Sequence, residues 1–166
     1  MKKYFVFDVE SAGLYGDGFA FGYVVVDENG KELDARFATS GLDSVKKNLS
    51  ESDREWLEKH TPDEILYPEG DLKLSLDELH TAFINSLKKH KGAIFVSDCG
   101  YPVEAKWLLE CKCEVYPLHD VATALLLCGK NPTGTYGRNE REQPAHHPLA
   151  DARQSARIWL ECINKK

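Results

Sequence analysis

Three apolar stretches open the chain. Residues 4–9, Tyr-Phe-Val-Phe-Asp-Val, are aromatic or β-branched apart from one acid near the end, which is the pattern of a buried strand. Residues 19–27, Phe-Ala-Phe-Gly-Tyr-Val-Val-Val-Asp, repeat the pattern, and Asn29-Gly30 then supplies turn chemistry. Residues 31–38 alternate more evenly, as a less buried strand does. Together they predict an antiparallel three-stranded meander.

From residue 43 the period lengthens. Val45, Leu49, Trp56 and Leu57 recur among charges over 43–60, a weak helical pattern, and Pro62 with Tyr67-Pro68-Glu69-Gly70 marks a loop. Ser75-Leu76-Asp77-Glu78 is a capping box, in which the serine caps the first amides and the glutamate reaches back. Leu76, Leu79, Phe83, Ile84 and Leu87 then share one face, so the spacing predicts a helix over 76–90. Lys88, Lys89 and Lys91 suit the negative end of its dipole, and Gly92 ends it.

Residues 93–96 predict a fourth, buried strand ending in Ser97-Asp98, and a helix over 103–110 follows. Residues 115–118, Val-Tyr-Pro-Leu, predict a fifth strand at a sheet edge, where a proline without an N–H is tolerated. An apolar helix over 121–128 comes next. Residues 129–145 have loop composition and no period, and a loop that long in a compact domain is usually functional or disordered. Pro148 opens the last helix, with Leu149, Ala152, Ala156, Trp159, Leu160 and Ile163 as its inner face.

A meander followed by alternating helices and strands is an α/β pattern. It excludes an all-α bundle and does not resemble a doubly wound nucleotide fold that opens βαβ. There is no G-x-x-x-x-G-K motif, Gly13 and Gly16 do not form G-x-G-x-x-G, and no repeat or linker divides the chain. With 166 residues, a single domain over 1–166 is expected. The formal net charge is −6, from 21 Lys plus Arg against 27 Asp plus Glu. A protein that grips long duplexes by neutralising phosphates is expected to be basic, so nucleic acid handled by this chain must meet a local basic patch or metal ions. No apolar run approaches the roughly 20 residues of a membrane span, and no secretory signal is read at the N-terminus, so no membrane partner is expected. The five cysteines lack framework or C-x-x-C spacing and read as reduced thiols of a cytoplasmic protein.

Candidate chemistry begins at the end of the first strand. Asp8 and Glu10, two residues apart in an extended segment, project to the same face. Two acids there are either a solvated strand end or a shared divalent site suited to Mg²⁺ or Mn²⁺. Asp98 ends the fourth strand similarly, and Asp151 falls in the first turn of the last helix, where an aspartate also compensates the dipole. Convergence of these four carboxylates would make the apparatus that holds two metals about 4 Å apart for in-line attack on a phosphodiester. His146 precedes Asp151 by five residues in His146-His147-Pro148-Leu149-Ala150-Asp151. It reads either as a general base, with an ordinary pKa of about 6.5, or as a surface histidine beside a capping His147.

The segment from Phe5 to Leu14, an apolar strand followed by Asp8-Val9-Glu10-Ser11-Ala12-Gly13-Leu14, resembles the first motif of the DnaQ-like 3′–5′ exonucleases, D-x-E-[ST]-x-G-L. Gly22 to Asp27 with Gly30 is similar to the family's next strand and hairpin. His146 to Asp151 is similar to the H-x4-D motif of the histidine-bearing (DEDDh) branch. The likeness runs over about residues 4–163. It implies an RNase H-like fold, a five-stranded mixed sheet flanked by helices. It further implies two Mg²⁺ or Mn²⁺ ions held by Asp8, Glu10, a middle aspartate and Asp151, with His146 as the base and nucleoside 5′-monophosphates as products. The same resemblance places Ser11, Gly13 and Leu14 against the substrate's 3′ end, with Leu14 as a wedge between the last two bases. Many relatives pair as homodimers, so a homodimer is a further expectation, although no interface signature is present.

The middle motif departs from the family pattern, which has His-Asn and then an aspartate opening a helix. Residues 96–108 read Val-Ser-Asp-Cys-Gly-Tyr-Pro-Val-Glu-Ala-Lys-Trp-Leu. Residue type and strand end favour Asp98 as the middle ligand, and helix register favours Glu104. Lys106, Lys130, Arg138, Arg141, Arg153 and Arg157 are candidates for a basic approach. Tyr101 and Tyr136 are candidates to stack on unpaired bases, whereas Trp107 has core spacing. The expected substrate is a single-stranded or 3′-overhanging nucleic acid, RNA or DNA. The rival readings are a non-catalytic nucleic-acid or protein-binding module on the same fold and a Mg²⁺-dependent small phosphohydrolase.

Overall fold

Strand β1 (Lys3–Ser11) lies at the centre of a five-stranded sheet whose order is β3-β2-β1-β4-β5. The computed structural model describes residues 1–164, so the last two residues of the expected 1–166 domain lie outside the described residues. β2 (Gly18–Asp27) and β3 (Glu32–Thr39) complete the antiparallel meander. β4 (Ile94–Ser97) and β5 (Leu118–Asp120) pair in parallel on the other side of β1. The mixed sheet is the one expected.

Side-chain alternation sorts β1 into two faces. Phe5, Phe7 and Val9 pack with Phe21, Phe83 and Trp107 under α3 (Leu76–Lys89) and α4 (Val103–Glu110). Tyr4 and Val6 pack with Val24, Val26, Val121, Ala156 and Trp159 under α5 (Val121–Leu127) and α6 (Pro148–Ile163). Asp8 and Glu10 continue this second set by parity. Two carboxylates thus occupy the α6 face where the alternation would otherwise place apolar side chains. A third cluster, including Phe19, Leu42, Leu57 and Ile65, gathers under α1 (Glu51–His60) and α2 (Asp63–Leu66).

Helix α6 lies close on the sheet because β2 carries Gly22. A Cβ there would stand 2.2 Å from the Leu149 amide nitrogen and 2.3 Å from the Pro148 carbonyl carbon. Glycine is therefore the residue that lets the N-terminal turn of α6 touch the sheet.

Two expectations need correction. The helix expected over 43–60 is divided: residues 42–48 form a tight 3-10 turn, and α1 starts afresh at Glu51. Ser50 is extended and its hydroxyl accepts the Asp53 N–H at 3.1 Å, so an N-cap interrupts the pattern. The fifth strand is not at 115–118. Pairing with β4 starts at Leu118, opposite Phe95, and ends at Asp120, whose side chain caps α5. Pro117, lacking an N–H, stays outside the ladder. Among the described residues no helix is long and apolar enough to cross a membrane, and the five cysteines are free.

Candidate active site

The register of the sheet assembles the acids. Phe7 of β1 pairs with Ser97 of β4, so Asp98 follows β4 at the level of Asp8. Asp8 pairs across the sheet with Gly22, the residue on which the first turn of α6 sits. Asp151 lies in that turn, so acids from three separated segments meet at the C-terminal end of β1. Ligand atoms of Glu10, His146 and Asp151 all lie within 4.8 Å of one another. Glu104 enters from the first turn of α4 and is 5% exposed, with the backbone N–H groups of Val9 and of Glu104 itself favouring its charged form. Asp98 stands at the solvent rim and accepts the Ser155 hydroxyl at 2.9 Å.

Burial, and then mutual repulsion, dominates the electrostatics of this group. Asp8 is held well above the ordinary carboxylate range by burial, followed by the charges of Asp151, Glu10, Glu104 and Asp98. Glu10 is pushed up to about 8 by burial, then by Asp151 and Glu104. Glu104 is also raised to about 8, by burial and by Asp98 against its backbone hydrogen bonds. Asp98 is raised by burial of its carboxylate more than the Ser155 hydrogen bond lowers it. Such a group is stable only when protons or cations offset it. Carboxylate oxygens are hard donors, and the acids of this group fit divalent ions of the Mg²⁺ or Mn²⁺ class.

The two adjacent histidines divide their roles. His147 is the N-cap of α6: its Nδ1 accepts the Leu149 N–H at 3.3 Å, and its ring packs edge-on to Phe37. His146 adopts φ 60°, an uncommon conformation for a residue other than glycine, and its backbone N–H reaches Asp151 Oδ2 at 3.1 Å. Its ring lies 4.9 Å from the Trp56 ring, edge to face, and Trp56 stacks on His60 at 4.6 Å. Burial is the largest influence on the His146 imidazole, holding its pKa below the usual value even though Asp151 favours the charged form. The ring is therefore neutral near pH 7. Trp56 and His60 are site residues that the sequence did not mark. Their i, i+4 spacing on α1 was the available signal, but Trp56 read as part of an apolar stripe, whereas it is 47% exposed.

The expected basic approach is replaced by ion pairs. Lys106 pairs with Asp17 and Glu110, Lys130 with Glu161, and Arg141 and Arg153 both with Glu32. Arg157 holds Glu142 through two bonds, of 2.7 and 3.0 Å, and also reaches the Gly137 carbonyl at 2.7 Å. Gln154 holds the Tyr136 carbonyl at 2.9 Å. The 129–145 segment is thereby pinned along α6, and Tyr136 packs against the core instead of standing free to stack. Its Arg138 enters the site, where Nη1 donates to Asp151 Oδ1 at 2.5 Å and to the Glu142 carbonyl at 2.9 Å. Trp107 is core, as its spacing indicated.

Beside Glu10 a cavity of about 340 Å³ is lined by Ser11, Gly13, Leu14, Asp53, Trp56 and Val103, among others. Ser11 Oγ donates to the Gly13 carbonyl at 2.8 Å, and Gly13 turns the chain at φ 82°. Leu14 is 66% exposed at the cavity mouth. Tyr101 is 69% exposed and is not among the residues that line this cavity. A larger cleft of about 560 Å³ lies along α6, between β2 and the 139–142 turn, but its polar lining is the Glu32 and Glu142 ion-pair network.

No family model and no curated protein matches the sequence. The fold nevertheless has solved counterparts. E. coli Exonuclease I in complex with a dA16 oligonucleotide superposes with a TM-score of 0.64 at 13% identity, over 99% of this chain. The chain spans 41% of the Exonuclease I chain. The nuclease domain of 3′hExo, a DEDDh family member bound to rAMP, superposes with a TM-score of 0.58 at 14% identity, over 98% of this chain and 92% of that one. A 3′-exonuclease described in 3′-end specific recognition of the histone mRNA stem-loop gives 0.62 at 12%, over 98% of this chain and 81% of its own. With its meander, parallel extension and flanking helices, this chain has the RNase H-like fold of the DEDDh 3′–5′ exonucleases.

Proposed function

We propose that the protein is a metal-dependent 3′–5′ exonuclease that shortens single-stranded or 3′-overhanging nucleic acid by releasing nucleoside 5′-monophosphates. The observation that carries this reading is the meeting of Asp8, Glu10, Asp151 and His146 at one end of β1, in a fold shared with such enzymes. Asp8, Glu10 and Asp151 would hold two divalent ions, together with Asp98 or, as its alternative, Glu104. The ions would supply charge stabilisation at the scissile phosphate and at the attacking and leaving oxygens.

The chain's own groups perform the remaining tasks. His146, neutral and turned toward Asp151, accepts the proton of the attacking water. Trp56 supports the imidazole from the side. The 340 Å³ cavity next to Glu10 receives the terminal nucleoside, with Ser11 and Gly13 in its wall and Leu14 at its mouth. The exposed Trp56 face offers a stacking surface for an unpaired base. Tyr101, exposed between Asp98 and Glu104 in the sequence, offers a further ring to stack on an unpaired base. The solved neighbours carry a DNA oligonucleotide in one case and rAMP in another, so both sugars belong in the test.

Oligonucleotides of RNA and of DNA, labelled at either end, test the proposal in the presence of Mg²⁺ or Mn²⁺. A 5′-labelled strand should shorten as a ladder, while a 3′-labelled strand should release its label at once as a mononucleotide. Release of inorganic phosphate from small esters without a ladder would favour a phosphohydrolase, and inactivity of metal-replete protein on both would favour a binding module.

A further inference from the structure

Both oxygens of Asp151 are already engaged. Oδ2 accepts the His146 backbone N–H, and Oδ1 accepts the Arg138 guanidinium at 2.5 Å. Arg138 is no loose surface side chain. It is about as buried as its partner, with 19% of its side chain exposed against 15% for Asp151. Its second anchor is the Glu142 carbonyl, and the turn that carries it is fixed by the Asn139–Glu142 capping box and by the Arg157–Glu142 pair. The Arg138 guanidinium therefore sits as a built positive charge against Asp151, with Asp98 also within its influence.

We propose that Arg138 is a resident counter-cation of Asp151 that a divalent ion must displace, so that this arginine sets the affinity of the site for metal. This rests on the metal-site reading above. A guanidinium on Asp151 Oδ1 and a dication drawn to the same carboxylate repel across a few ångströms of partly buried space, where charge interactions exceed those in water. Removing the arginine relieves that repulsion and frees a carboxylate oxygen. It also leaves the metal-free cluster more crowded with negative charge, so the metal-free fold weakens as metal binding strengthens. Because Arg138 Nη1 makes both bonds, rotation of the side chain releases Asp151 while the backbone of the pinned turn stays in place. Arg138 is thus a positioning residue acting through Asp151.

The test is calorimetric titration of Mn²⁺ alone into wild-type protein, R138Q, R138K and D151N, with melting temperatures measured without and with saturating Mn²⁺. R138Q should bind Mn²⁺ at least about tenfold more tightly than wild type. It should melt lower than wild type without metal and close that gap when loaded. R138K, which keeps the charge, should stay near wild type. Equal or weaker Mn²⁺ binding by folded R138Q, with wild type binding normally, overturns this proposal and leaves the metal-site reading standing. Failure of wild type and R138Q alike to bind Mn²⁺ overturns both. If R138Q does not fold, wild-type protein carries the test: the Arg138 guanidinium ¹⁵N signals should move to a solvated, rapidly exchanging state on addition of Mg²⁺, and unmoved signals contradict displacement.

Discussion

His146 is the residue on which the proposed chemistry turns, and its neighbours define what its removal should do. As a general base it accounts for a factor of about 10² to 10⁴ in rate, so His146→Ala should lower single-turnover cleavage by that amount. Mn²⁺ affinity should stay within a few-fold of wild type, and a large loss of metal binding would instead make the imidazole a ligand. The middle carboxylate is tested in the same way. Asp98 stands at the rim with Ser155, whereas Glu104 is buried between Asp8, Glu10 and Asp98. Asp98→Asn should abolish metal-dependent turnover and Glu104→Gln should retain a measurable part of it. The opposite ranking, read from the same rate assay, transfers the role to Glu104.

At the scale of elements, the site depends on how closely α6 approaches β2. Gly22→Ala places a methyl group against the backbone of Pro148 and Leu149. We expect it to destabilise the fold by about 1–3 kcal/mol through overpacking, and to weaken Mn²⁺ binding because Asp151 moves with the helix. Denaturant melts and metal titration check both, and a variant as stable and as metal-competent as wild type contradicts this packing account. The elements around this contact were legible because their signals are local. β1 announced itself by an apolar run broken by Asp8, α3 by the Ser75 capping box, and α6 by Pro148 with its inner stripe. The division at Ser50 was not legible, since a serine within a helical pattern caps a new helix only when the preceding turn bends away. The start of β5 was misplaced because Val115 and Tyr116 carry strand composition, while pairing register is set by β4. Arg138 is legible in the sequence only as a candidate for a basic approach, and Trp56 only as an apolar position, because long-range folding, not spacing, brings them to Asp151 and His146.

Across the whole molecule, charge works in two opposite senses. The site acids bind protons more tightly folded than unfolded, with Glu10 and Glu104 raised from 4.5 to about 8. Between those values the folded state holds protons that the unfolded state releases, so the metal-free protein should lose stability as pH rises from about 4.5 to about 8. Melts across this range should show the decline, and Glu10→Gln should flatten it; a rise in stability over the same window contradicts the assignment. At the opposite end of the sheet Asp34 behaves in reverse. Burial raises its pKa, but hydrogen bonds from Lys89, His90 and Tyr23 outweigh that and bring it to about 2. Its contribution is present above the unfolded value of 3.8 and is lost as pH falls toward 2.

A molecule of net charge −6 that concentrates buried acids at one strand end needs cations there. The most direct measurement is anomalous scattering from crystals soaked in Mn²⁺ with a nucleoside 5′-monophosphate. The account predicts two peaks bounded by Asp8, Glu10 and Asp151, with the phosphate against them and the base in the cavity beside Leu14 and Trp56. Peaks confined to other surfaces, or a nucleotide bound away from these acids, would contradict it.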